Sequence, residues 1–143
     1  MEKTFDKKVI YITGASAGIG YATAELCLRK GAKVIITGRN QENLENAHNK
    51  LLKISSEVIA HNVDVSQESE ITRSLQEVHE AYGRIDGLVN NAPSIHTGKI
   101  VDLDLSAWKT NFKANLDAVF LATKTVLPWM IDEQKGAIVN VAS

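Results

Sequence analysis

Eight residues, Thr13-Gly14-Ala15-Ser16-Ala17-Gly18-Ile19-Gly20, constrain this chain more than any other stretch. They follow a short apolar run, Val9-Ile10-Tyr11-Ile12, and lead into a segment of helical periodicity that ends at Lys30. A strand, a glycine turn and a helix start in that order form a device for holding phosphate. The first N–H groups of a helix have no intrahelical partner, and the helix dipole adds partial positive charge at that end. Glycines remove the Cβ atoms that would keep an anion at a distance. The spacing is Gly-x-x-x-Gly-x-Gly, not the commoner Gly-x-Gly-x-x-Gly. Gly14, Ser16, Gly18, Ile19 and Gly20 are the candidate contacts to a nucleotide. The competing reading is that the glycines only shape a turn and a helix cap.

Along the rest of the chain, strands and helices alternate. Ile19, Ala22, Leu26 and Arg29 recur at helical intervals, and Gly31 supplies a stop. Val34 to Ile36 reads as a second strand, followed by Asn40 as N-cap of a helix with Leu44, Ala47 and Leu51 on one face. Val58 to Ala60 reads as a third strand, and Ser66 as cap of a helix with an apolar stripe of Ile71, Leu75, Val78 and Tyr82. Gly83 ends that helix, and Ile85 to Val89 form a fourth strand. After Ser106, a further candidate cap, a long helix places Phe112, Leu116, Val119, Phe120, Thr123 and Leu127 on one side, with Pro128 set to end or kink it. Ala137 to Val141 complete the pattern as a fifth strand.

Strict β-α alternation with no linker, repeat or low-complexity segment implies one α/β domain over residues 1–143. Its expected form is a doubly wound, Rossmann-like parallel sheet of strand order 3-2-1-4-5. The ligand crevice then lies at the reversal point, above strands one and four. A net charge of −1 gives no electrostatic case for nucleic acid or an anionic membrane. Cys27 is the only cysteine, so a disulfide within the chain and a cysteine zinc site are excluded, and its helical surroundings suggest packing. The apolar run behind the charged N-terminus is too short for a signal sequence or a membrane span, which makes the cytoplasm the default location.

Several landmarks together resemble the short-chain dehydrogenase/reductase family, over essentially the whole chain. Thr13-Gly14-x-x-x-Gly18-x-Gly20 is similar to its cofactor motif, and Asp64-Val65 to the pair that touches the adenine. Asn90-Asn91-Ala92 resembles the signature after strand four, although Pro93 stands where the family has glycine and offers no N–H. Asn115 and Ser143 align with the asparagine and serine of the catalytic tetrad. The residues also have plainer readings. Asp64 suits a turn before the next helix, and Asn115 suits the pairing of a backbone group.

An enzyme that prefers NAD places a carboxylate at the end of strand two for the ribose 2′-hydroxyl. Here Gly38 and Arg39 stand there. Nothing repels a 2′-phosphate, and a guanidinium is suited to clamp one. The expected cofactor is NADP(H), with NAD the alternative, and Arg39 as a solvated loop charge is the competing reading. The resemblance implies a small-molecule carbonyl or alcohol substrate, and a homodimer or homotetramer paired through the helix that carries Asn115.

The family also uses a tyrosine as general acid or base, with a lysine four residues later lowering its pKa. The tyrosines here are Tyr11, Tyr21 and Tyr82, followed at that distance by Ala15, Glu25 and Asp86. The expectation is the N-terminal part of a reductase, with strand five left as an exposed edge and the long helix partly uncovered. The alternative is a non-catalytic dinucleotide-binding fragment. Methyl transfer from S-adenosylmethionine fits less well, because it too wants an acidic residue where Gly38-Arg39 stand.

Overall fold

In the computed structural model, residues 2–142 are described. The strands are β1 (Val9–Ile12), β2 (Lys33–Gly38), β3 (Val58–Asn62), β4 (Gly87–Asn90) and β5 (Ala137–Asn140). All pair in parallel, in the order β3-β2-β1-β4-β5. Ile12 lies level with Ile36 on one side and Val89 on the other, so the strand ends that follow them open onto one edge. The helices are α1 (Gly18–Arg29), α2 (Gln41–Leu52), α3 (Glu68–Tyr82), α4 (Leu105–Phe112) and α5 (Ala118–Asp132), with a π-helical turn at Lys113–Asp117 joining the last two.

The central strands β1, β2 and β4 are buried along almost their whole length because both faces of the sheet are covered there. Ile10, Ile12, Val34 and Ile36 pack with Ala24 and Leu28 of α1 and Leu44 and Leu51 of α2. The alternate residues Val9, Tyr11, Ile35 and Leu88 pack with Ile71, Leu75 and Val78 of α3 and Ala122, Val126 and Met130 of α5. Cys27 is buried, and burial pushes its thiol pKa up, in keeping with a packing role. As expected of β5, among the described residues no strand pairs with its outer edge, and Val139 is 52% exposed.

Asn40 caps α2, accepting from Asn43 N at 2.8 Å, and Gly83 ends α3 in the left-handed region at φ 72°. Other local expectations require correction. The buried face of α1 is Gly20, Ala24, Cys27 and Leu28, while Ile19 and Leu26 are exposed. Small residues let this helix lie close to the sheet, and a reading weighted toward large side chains picks the wrong face. The same holds for α5, where Ala118, Ala122, Val126 and Met130 are buried and Phe120 and Leu127 are exposed, as are Phe112 and Leu116 just before it. Tyr82 is 37% exposed, at the C-terminal end of its stripe.

Ser66 does not cap α3, because its N–H and hydroxyl both bond Asp64 Oδ1 and the helix begins two residues later. Asp104, not Ser106, caps α4, accepting from Ala107 N at 2.7 Å. Pro128 does not end α5, which runs on to Asp132. Val126 and Met130 anchor the turns on either side of it, so the one missing N–H is tolerated.

Candidate functional site

The ends of β1 and β4 are stapled together by Thr13 and Asn91. Thr13 Oγ1 accepts from the N–H of Asn91 at 2.9 Å and from that of Ala92 at 3.0 Å. In return, Asn91 Nδ2 donates to Thr13 O at 3.1 Å and Gly14 O at 3.0 Å. Gly14 has φ +63°, and a Cβ there would lie 2.5 Å from Ala92 Cα, so only glycine permits this approach.

Gly18 also has a positive φ, +57°, but its missing Cβ faces open space. No side chain caps the N-terminus of α1 beside it. That combination fits a pyrophosphate: backbone donors without partners, a helix dipole behind them and room in front. The rim of this cradle is a cleft of about 650 Å³ lined by Gly14, Ser16, Gly18, Ile19, Arg39, Asp64, Val65, Asn91 and Ala92. Of the expected contacts Gly20 alone is absent from the rim, and it packs beneath Asn91 instead. Arg39 follows β2 at the mouth, exposed, with no carboxylate within 4 Å among the described residues.

A second cleft of about 440 Å³ adjoins the first along Ile19, Val65, Asn91 and Ala92 and adds Asn90, Ile95, Asn115 and Val119. Asn90 Nδ2 donates to Asn140 Oδ1 at 2.9 Å, tying β4 to β5 below this cleft. Asn115 lies in the π turn, its carboxamide bonded to both backbone groups of Ser94. Asp64 Oδ1 accepts from Ser66 while the Asp64 N–H donates to Glu70 Oε2 at 2.8 Å. The turn and backbone-pairing roles of Asp64 and Asn115 are thus both visible in hydrogen bonds, within the walls of the clefts. Ser143 lies outside the described residues.

Asn111 escaped the sequence reading, although it holds the neighbouring loop; Asn-x-x-x-Asn at one-turn spacing was its only trace. No tyrosine lines either cleft. Among the described residues no group of three or more His, Cys, Asp or Glu side chains is placed to hold a metal, and no helix is long and apolar enough to cross a membrane.

A family model described as short chain dehydrogenase matches residues 8–143. The chain is 32% identical over 136 residues to an uncharacterized oxidoreductase of Staphylococcus aureus strain MRSA252. It is 34% identical over 137 residues to another from Staphylococcus saprophyticus. In both cases 95% of this chain is covered but only 58% of the relative's length. Among solved structures it resembles a metagenomic short-chain oxidoreductase in complex with NADP, with a TM-score of 0.92 and 32% identity, covering 97% of this chain and 63% of that one. It also resembles NAD+-bound xylitol dehydrogenase, with a TM-score of 0.92 and 30% identity, covering 98% and 54%.

Proposed function

The chain belongs to the short chain dehydrogenase family, and on that premise we propose that it serves an oxidoreductase that interconverts small carbonyl compounds and alcohols with NADP(H). The observation that carries this reading is Arg39, an exposed guanidinium at the mouth of a glycine-built cradle with no carboxylate partner among the described residues, and Gly38 where a carboxylate would select NAD. A solved relative in complex with NADP supports it, and the NAD+-bound xylitol dehydrogenase keeps NAD as the alternative. The first turn of α1 and Ser16 would hold the pyrophosphate, Asp64 and Val65 the adenine, and Asn91 and Ala92 the turn toward the second cleft. When bound, a nicotinamide supplies the hydride donor or acceptor. Asn115 and Ser143 are the chain's candidates for orienting substrate and relaying a proton.

A second reading, a dinucleotide-binding fragment without chemistry, is favoured by the tyrosines. Tyr11 is buried against Ser74 with its phenol pKa pushed up, chiefly by desolvation, and no tyrosine lines the clefts. One pair of measurements separates these readings: titration with NADPH and NADH, and absorbance at the nicotinamide band with a panel of ketones and aldehydes. Tight NADPH binding with turnover supports the enzyme, and binding without turnover supports the fragment. Binding of neither dinucleotide overturns both.

The exposed row Phe112, Leu116 and Phe120 supports a homodimer or homotetramer through α4 and α5. Sedimentation of a Phe120→Glu variant, compared with wild type, tests that assembly. A cytoplasmic location is part of the same proposal.

A further inference from the structure

Asn111 and Asn115 stand four residues apart, the first on α4 and the second in the π turn. Each closes on the backbone of one loop residue. Asn115 Oδ1 accepts from Ser94 N at 2.9 Å, and its Nδ2 donates to Ser94 O at 2.6 Å. Asn111 does the same to His96, accepting from its N–H and donating to its carbonyl, both at 2.9 Å. A carboxamide carries a donor and an acceptor side by side, as the backbone does. In extended chain the backbone groups of alternate residues point to the same edge. The two asparagines therefore imitate a strand edge with two rungs. Pro93 and Ile95 fall on the intervening positions, and both line the smaller cleft. Pro93 has no N–H to offer a ladder, and this register asks for none there. Among the described residues no backbone–backbone hydrogen bond holds residues 92–98; Thr13 Oγ1 holds the Ala92 N–H, Asn115 holds Ser94, and the backbone beyond depends on Asn111.

We propose that Asn111 is a positioning residue: its rung fixes Ile95, which lines the smaller cleft and is 74% exposed, as the wall against which the nicotinamide end of a dinucleotide rests. This rests on the dinucleotide reading given above. The test uses NADPH, and 2′,5′-ADP as a probe that lacks the nicotinamide half, titrated into wild type, Asn111→Ala and Asn111→Asp. Asn111→Ala leaves 2′,5′-ADP affinity within about twofold and weakens NADPH about 5- to 10-fold, the loss expected for one net hydrogen-bonded contact. The emission of bound NADPH shifts toward that of the free cofactor, which a merely structural role would not produce. Asn111→Asp keeps the acceptor for the His96 N–H but loses the donor, and it falls between. Ile95→Ala, which leaves all four bonds in place, reproduces the NADPH effect even where an Asn111 variant folds poorly. Wild-type NADPH affinity and emission in both Asn111→Ala and Ile95→Ala overturn the inference while sparing the dinucleotide reading. Failure of wild type to bind either probe overturns both together.

Discussion

The carboxamide of Asn91 lies over Gly20, so that a Cβ built on Gly20 would stand 2.5 Å from Asn91 Nδ2 and 2.6 Å from the Gly14 carbonyl. Through this contact the start of α1 reports directly on the end of β4. Alanine is the better helix former by about 1 kcal/mol, yet at this position the Gly14 carbonyl is backbone and has nowhere to go. Gly20→Ala is expected to destabilise the fold by about 1–3 kcal/mol, the usual range for overpacking. Urea denaturation reads the loss, and an unchanged midpoint would show that Asn91 moves freely.

Gly18 separates binding from folding. Its missing Cβ faces open space, so Gly18→Ala meets no neighbour and costs only its left-handed φ, roughly 1–2 kcal/mol. The added methyl projects into the cradle, however. The expected result is a folded protein with strongly weakened NADPH binding by calorimetry, and retention of wild-type affinity would place the pyrophosphate elsewhere.

Arg39 supplies the cofactor choice. An exposed guanidinium bonded to a phosphate contributes about 1.5–3 kcal/mol, which corresponds to roughly 10- to 100-fold in affinity. Arg39→Ala should weaken NADP by that factor and change NAD by less than about threefold on the same scale. Equal losses for both would make Arg39 a general rather than a 2′-phosphate contact.

A buried relay on the other face of the sheet gives the fold a pH dependence. Tyr11 Oη and Ser74 Oγ are 2.6 Å apart, and His61 Nδ1 lies 2.8 Å from the same Ser74 oxygen. With His61 neutral and its proton on Nε2, Ser74 can donate to the ring and accept from Tyr11. A protonated ring must donate to Ser74, which leaves one of the two hydroxyl protons, that of Ser74 or that of Tyr11, without an acceptor in the relay. Burial holds the His61 pKa below its ordinary value; Glu77 opposes this and Arg73 assists it. The unfolded chain therefore binds the proton more readily, and stability present above about pH 6.5 is lost as pH falls toward the folded-state value. His61→Gln should flatten that slope between neutral and mildly acidic urea melts, and an unaltered slope assigns the effect to other groups. Ser74→Ala, which leaves the phenol without its partner, should cost about 1–3 kcal/mol.

How far the sequence discloses this molecule depends on the size of the side chains that do the packing. Leu44, Ala47 and Leu51 on α2, and Ile71, Leu75 and Val78 on α3, form the one apolar stripe of largely polar helices, so their buried faces could be read directly. On α1 and α5 apolar residues surround much of the helix, and Gly20, Ala24, Ala118 and Ala122 win the sheet side because they allow close approach. The cleft was legible because parallel strands deliver their C-terminal turns to one edge whatever the helices do. The loop after β4 was not, since its course is set by Asn111 of α4 and Asn115 of the π turn, and two asparagines at one-turn spacing do not say which backbone they hold.

Asp86 joins the two strands on which the cleft is built. Its Oδ2 accepts from Val9 N at 2.9 Å and Arg84 Nε at 2.7 Å, while Oδ1 takes Lys8 Nζ at 3.3 Å and a second Arg84 nitrogen. Burial alone would raise its pKa, but the bonds from Arg84, Val9 and Lys8 outweigh it and hold the carboxyl below the ordinary carboxylate value. A depressed folded-state pKa means that the stabilisation is complete above about pH 4 and is lost as pH falls through the folded value. Asp86→Asn keeps an acceptor for Val9 N–H but leaves both cations unneutralised. Lys8 and Arg84 are partly exposed, which screens much of their attraction. The expected loss at neutral pH is accordingly about 1–2 kcal/mol, the scale of one charge-assisted hydrogen bond. Acid melts decide the assignment: the wild type should converge on the variant as pH drops below the carboxylate range, whereas a constant gap would mean that the charge of Asp86 contributes nothing.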